Sequence, residues 1–238
     1  MPSPIAFIIP ALNEEAALAL MLEGLRAALD AAACADADLV VVDNGSRDAT
    51  AAVARKHGAR VVSEPRRGYG QACLSGIAAL SSDTRIVTFL DADGSDDPED
   101  LVRLLAPIRD GEADLVLGSR TIAARRAGAF TPQQAFGNWL ATGLMRLFFG
   151  ARYTALGPFR VIRREALERL QMRDTNFGWT IEMQIKAHRL GLRVLEIPVN
   201  YRKRIAGESK ISGNFVGTLR AGWKILWTIA KHGLSSGR

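Results

Sequence analysis

The chain has 238 residues, 48% of them hydrophobic, with 31 lysines and arginines against 25 aspartates and glutamates. This fits one large α/β domain with a sizeable core, and no run approaches the roughly 20 apolar residues that a spanning helix needs. The net charge of +6 points to anionic partners such as nucleotide phosphates or anionic lipid heads, but the interleaved basic and aromatic pattern of a nucleic-acid surface is missing.

Ile5 to Ile9 reads as a buried strand ended by Pro10, with no charged leader of a signal peptide before it. A helix should start near Asn13 as its cap, with Glu14 and Glu15 in the positive first turn. Leu39 to Val42 is the second strand, and Asp43-Asn44-Gly45-Ser46 the turn after it. Arg47 to His57 reads as helix stopped by Gly58, Arg60 to Val62 as a third strand, and Gly68 to Leu80 as helix. Ile86 to Leu90 is the fourth strand and Asp114 to Leu117 the fifth. Beyond these, Phe136 to Phe149 and Trp179 to Leu190 read as helices, Phe159 to Ile162 and Val194 to Val199 as strands. Alternating strands and helices imply right-handed crossovers and a mostly parallel sheet covered on both faces. No linker or repeat divides the chain, so a single domain over 1–238 is expected. Cys34 and Cys73 make neither a disulfide framework nor a zinc site, and a reducing cytoplasm is the expected address.

Ligands of such sheets sit at the carboxyl ends of the strands. Four polar clusters fall there, at residues 10–14, 43–46, 67–70 and 91–93. Asp91 and Asp93, spaced i, i+2 after an apolar strand, can converge on Mg²⁺ or Mn²⁺ where Gly94 permits the backbone to turn. Such a cation keeps open positions for substrate phosphates and neutralises a departing diphosphate. Glu182, in Trp179-Thr180-Ile181-Glu182-Met183, is a candidate general base for a hydroxyl acceptor, and also an ordinary polar position on an amphipathic helix.

Four segments carry a resemblance when taken together in this order: Ile8-Ile9-Pro10-Ala11-Leu12-Asn13-Glu14-Glu15, Val41-Val42-Asp43-Asn44-Gly45-Ser46-Arg47-Asp48-Ala49-Thr50, Arg67-Gly68-Tyr69-Gly70-Gln71-Ala72 and Phe89-Leu90-Asp91-Ala92-Asp93-Gly94. They resemble the nucleotide-sugar half of the family-2 inverting glycosyltransferases, over residues 5 to about 120. That resemblance implies a Rossmann-like glycosyltransferase-A fold. It also implies a nucleotide-diphosphate sugar donor whose nucleoside is held by Pro10, Ala11, Glu14 and Asp43. Asn13 is counted in the same set, Gly70 lies close to the nucleoside, and Asp91 and Asp93 face the diphosphate and its metal.

The second half is similar to the dolichol- or polyprenyl-phosphate sugar synthase branch, through Gly118-Ser119-Arg120, Gly157-Pro158-Phe159-Arg160 and Gly207-Glu208-Ser209-Lys210. The likeness implies a lipid-phosphate acceptor, with Arg120 and Lys210 as phosphate-handling catalytic residues beside Asp93. Residues 121–212 form the expected acceptor half, and 213–238 an amphipathic helix. Phe215, Leu219, Trp223, Leu226 and Ala230 line one side of that helix, with Arg220, Lys224 and Lys231 on the other. Those faces suit either the inner membrane surface or packing on the domain. Transfer to a hydroxyl acceptor and a non-catalytic nucleotide-binding regulator are the competing readings.

Overall fold

The computed structural model describes residues 4–120, 132–202, 204, 227–229 and 231. Strands β1 (Ile5–Ala11), β2 (Asp38–Asp43), β3 (Arg60–Ser63) and β4 (Ile86–Phe89) pair in parallel, in the order β3-β2-β1-β4. The sheet continues through β6 (Arg160–Arg163), β5 (Leu115–Ser119) and β7 (Val194–Pro198). Only β6 runs against its neighbours β4 and β5, so the expected mostly parallel sheet forms with one reversed strand.

Strand periodicity sorts the side chains to two faces. Ile5, Phe7 and Ile9 go to one cluster and Ile8 to the other, as do Leu39 and Val41 against Val40 and Val42. Helix α1 (Glu15–Ala31) covers the first face with Leu18, Leu22, Leu25 and Leu29, one helical stripe of fully buried leucines. Each stabilises the fold by about 1.5–3 kcal/mol relative to exposure. A 3₁₀ turn (Pro98–Asp100) leads into α4 (Leu101–Arg109), which adds Leu101, Leu104, Leu105 and Ile108 to that face. The second face is covered by α3 (Tyr69–Ala78), α6 (Arg164–Leu170) and α7 (Trp179–Arg189). The short α2 (Thr50–Lys56) flanks β3. Helix α5 (Pro132–Phe149) lies outside this frame, joined to α7 through a small cluster of Ala141, Met145, Ile181 and Ile185.

The expected start of α1 is corrected. Asn13 is not its cap: it adopts the left-handed conformation that asparagine tolerates, φ +51, and the helix begins at Glu15. Its Oδ1 accepts the Arg47 amide at 2.8 Å and its own amide donates to Ser46 Oγ at 2.9 Å. The next helix starts at Thr50 rather than Arg47, because residues 47–49 are used in clipping the two helix starts together. Glu14 N donates to Thr50 Oγ1 (2.9 Å), and Ala49 N donates to Glu15 Oε2 (2.7 Å).

Both cysteines are free and buried, as expected of core residues. Of the C-terminal helix, Phe215, Leu219, Arg220, Trp223, Lys224, Leu226 and Ala230 lie outside the described residues. Among those described, Ile229 packs into the cluster beneath α5, while Trp227 and Lys231 are exposed. No described helix is long and apolar enough to cross a membrane.

Candidate active site

The strand register puts the polar turns in one row. Ala11 pairs with Asp43 across β1 and β2, Asp43 with Ser63 across β2 and β3, and Ile8 with Phe89 across β1 and β4. The segments that follow leave the sheet from the same carboxyl edge, so Pro10, Ala11, Asn13, Glu14, Asp43, Asp91 and Asp93 are brought to one cleft.

Hydrogen bonds cross-link its walls. Asp43 Oδ1 accepts the Ser46 amide at 2.9 Å, which fixes the turn at Gly45 (φ +78). Asn44 donates to the carbonyls of Glu64 (3.0 Å) and Arg66 (2.7 Å), and its Oδ1 accepts the Gly68 amide at 2.8 Å. One buried asparagine thereby ties the loops after β2 and β3 together. A Cβ on Gly68 or Gly70 would run into the carbonyl oxygens of Thr175 or Asp174. Gly70, expected beside the nucleoside, is thus the position where α3 accepts the 174–176 loop at backbone contact.

The acidic end of the cleft is crowded. Asp91, Asp93 and Asp96 lie on one loop, which turns at Gly94 with φ +69. Burial, then the Asp93 and Asp96 charges, push the Asp91 carboxyl up to about 7, against the opposing pull of Arg120 and a hydrogen bond from Tyr69. Three arginines answer this charge. Arg204 spans the cleft, with Nη2 2.8 Å from Glu14 Oε1 and Nε 3.1 Å from Asp93 Oδ2. Arg120 donates from Nε (3.0 Å) and Nη2 (2.6 Å) to Asp96 Oδ1, with its guanidinium 4.3 Å from the Tyr201 ring centre. Burial would lower the Arg120 pKa, but the Asp96, Tyr201 and Asp91 charges raise it above the ordinary arginine value. Arg160, fully buried beneath, bonds the Thr180 and Gly157 carbonyls. Burial lowers its pKa to about 10, although Tyr69, Cys73 and Asp91 oppose the fall.

Two candidates stand differently from the rest. Glu182 is buried on α7, and its carboxylate accepts the amides of Arg173 (3.1 Å) and Asp174 (2.7 Å) and pairs with Lys186 at 2.7 Å. It anchors the loop that covers Gly68 and Gly70 and has no oxygen left over for a substrate proton. Lys210, with Gly207 to Ser209 and Lys203, lies outside the described residues. The residues that motif reading passed over are Arg204, Tyr69 and Asp96. Tyr69 lies inside a recognised motif and Asp96 and Arg204 beside one, and the Arg204–Glu14 pair spans 190 residues.

The donor set suits a hard cation. Asp91 and Asp93 offer carboxylate oxygens, and a guanidinium already stands against Asp93 where positive charge is needed. Among the described residues no group of three or more His, Cys, Asp or Glu forms an all-protein cage. Two carboxylates with the remaining positions left to water and phosphate are what Mg²⁺ or Mn²⁺ accepts. The raised Asp91 pKa gives a pH signature in metal-free protein. The native carboxyl binds its proton more tightly than the unfolded one, so ionising it costs stability as pH rises from about 4 to about 7. In chelator, the melting temperature is expected to fall more between those pH values for the wild type than for Asp91→Asn. Superimposable pH profiles for the two proteins would remove the assignment.

A doubly covered, mostly parallel sheet with polar turns and paired carboxylates at its carboxyl edge has glycosyltransferase-A architecture. The chain belongs to the glycosyl transferase family 2, whose profile matches residues 6–171. It is similar to an uncharacterized glycosyltransferase of Mycobacterium tuberculosis, 39% identical over 226 residues that cover 93% of this chain and 97% of the relative. It also resembles the undecaprenyl-phosphate mannosyltransferase of Micrococcus luteus, 31% identical over 221 residues and 88% of each chain. Among solved structures it is similar to the glucosyl-3-phosphoglycerate synthase of M. tuberculosis in complex with Mn²⁺, uridine-diphosphate-glucose and phosphoglyceric acid. The TM-score there is 0.75 at 26% identity, over 97% of this chain and 80% of that one.

Proposed function

We propose that this glycosyltransferase moves a sugar, with inversion, from a nucleotide-diphosphate sugar to polyprenyl phosphate, with Mg²⁺ or Mn²⁺ at Asp91 and Asp93. The observation that carries the reading is the Glu14–Arg204–Asp93 bridge, which joins the nucleoside end of the cleft to its acidic end. Asp43, Glu14 and the Pro10-Ala11 backbone hold the nucleoside, and Asn13 orders the turn that presents Glu14. Asp91 and Asp93 hold the cation, which when bound offsets charge on the leaving diphosphate. Arg204 balances the two carboxylates until the donor arrives and releases Asp93 to it. The Mn²⁺ and nucleotide-sugar in the M. tuberculosis structure support the donor half, and the name of the M. luteus relative supports the lipid phosphate.

A phosphate acceptor brings its own negative charge and needs no base, which agrees with a Glu182 already engaged by backbone amides. Glu182→Gln is therefore expected to leave transfer within a few-fold of wild type. It should lower stability by about 1–3 kcal/mol for the donors left unpaired. The test is a screen of nucleotide-sugars with polyprenyl phosphate and either cation, read by mass. A product formed only on hydroxyl acceptors, and lost in Glu182→Gln, would overturn the acceptor assignment.

A further inference from the structure

Helix α5 is unusual for its place on the surface. Over Pro132–Phe149 its one charged residue is Arg146, and it has no acidic residue. Ala141 and Met145 turn inward onto Ile181 and Ile185 of α7. At 100° per residue, Phe136, Trp139, Gly143 and Leu147 fall on the opposite side. Phe136, Trp139 and Leu147 are 61%, 65% and 75% exposed, and Phe148, a further 100° round the helix from Leu147, is 61% exposed. The helix is held in this orientation by its own side chains. Asn138 donates to the Thr154 carbonyl at 2.9 Å and accepts the Leu156 amide at 3.1 Å. These bonds and the inward cluster set which side of the helix faces out.

We propose that this stripe seats the enzyme on an anionic bilayer surface. Contiguous exposed apolar side chains on a soluble face mark an interaction site, and tryptophan with flanking cations is the composition of the lipid–water boundary. Trp227, 55% exposed, and Lys231 lie on the segment whose Ile229 packs under α5. Arg146 and Arg152 are exposed on the helix and just beyond it, and Arg189 lies 5.0 Å from the Phe149 ring centre. Glu196, an acid near this end, accepts the amides of Thr154 and Ala155. A second copy of the chain fits less well, since α5 has no acidic residue to offer the exposed Arg146 of a partner. An apolar stripe along the side of one helix suits a contact that lies in the interface plane. The proposal gives the lipid-phosphate reading above its route to the acceptor, but the binding is tested without any transfer.

The experiment is sedimentation of the full chain with phosphatidylcholine vesicles, with and without phosphatidylglycerol. The wild type is expected to bind the anionic vesicles, with tryptophan fluorescence quenched by brominated lipid and less so in Trp139→Ser. Phe136→Ser/Trp139→Ser/Leu147→Ser should bind about tenfold or more weaker, with its melting temperature and nucleotide affinity unchanged because all three side chains are exposed. Arg146→Gln and Arg152→Gln should each weaken binding to anionic vesicles about fivefold. Wild-type binding by the triple variant overturns the proposal. So does a wild type that ignores both vesicles, or a dimer in solution that the triple variant abolishes. Vesicle binding with no transfer to polyprenyl phosphate would sink the acceptor reading and leave this surface standing.

Discussion

Asp93→Ala is expected to lower sugar transfer by about a thousandfold or more while the chain stays folded. The size follows from what the carboxylate does at the moment of transfer: removing one preorganised stabiliser of developing charge costs roughly 10²–10³ in rate. Losing a cation ligand beside it adds to that. The cost to the fold is smaller. Asp93 Oδ1 accepts the Ser95 amide at 2.9 Å, a contact worth about 1 kcal/mol. Its other oxygen faces Arg204, which keeps Glu14 as a partner when Asp93 is gone. Titration of Mn²⁺ with the donor nucleotide should show weaker cation binding, and the circular-dichroism melt should move little. A variant that transfers at the wild-type rate in chelator would exclude the metal role of this residue. Arg204→Gln is a useful partner measurement, because Mn²⁺ alone should bind it more tightly once the competing guanidinium is removed.

The donor half was legible in the sequence because its instructions are local. Ile5 to Ile9 and Leu39 to Val42 are apolar on every residue, which only a doubly covered strand tolerates, and the turn residues after them name the edge where a ligand sits. The same logic fails where a residue's role is decided from far away. Asn13 looks like a helix cap by type and position, but Arg47 and Ser46 claim it across the cleft. Glu182 looks like a polar helix position or a base, and it is neither exposed nor free, because the loop eight and nine residues before it supplies amides. The reversed β6 and the seven-residue α6 carry no distinctive period over so few residues. Arg204 has no local signal beyond its place just before the Gly207-Glu208-Ser209-Lys210 motif, since Glu14 and Asp93 belong to the first half of the chain.

Arg120 shows how the same distance from sequence to structure changes an expected result. Taken as a phosphate ligand, its removal would cost transfer and leave the fold alone. In the structure its side chain is only 11% exposed, and both Nε and Nη2 point at Oδ1 of an Asp96 that is fully buried. Asp96 Oδ2 already lacks a hydrogen-bond donor, so the arginine is the main compensation for that charge. Arg120→Ala leaves a buried carboxylate unpaired, which costs about 3–5 kcal/mol. For a chain of this size, that amounts to a fall in melting temperature of roughly 10 °C or more. It also removes the cation stacked on Tyr201, whose Asp96 bridge joins residue 201 to the acidic loop. The double variant Asp96→Asn/Arg120→Ala should recover part of the loss, since the neutral amide no longer needs the charge. A single Arg120→Ala protein that melts with the wild type yet loses transfer would make Arg120 a ligand-binding group alone. A protein that is destabilised, and recovers in the double variant, makes it the strut that holds the acidic loop in shape for the cation.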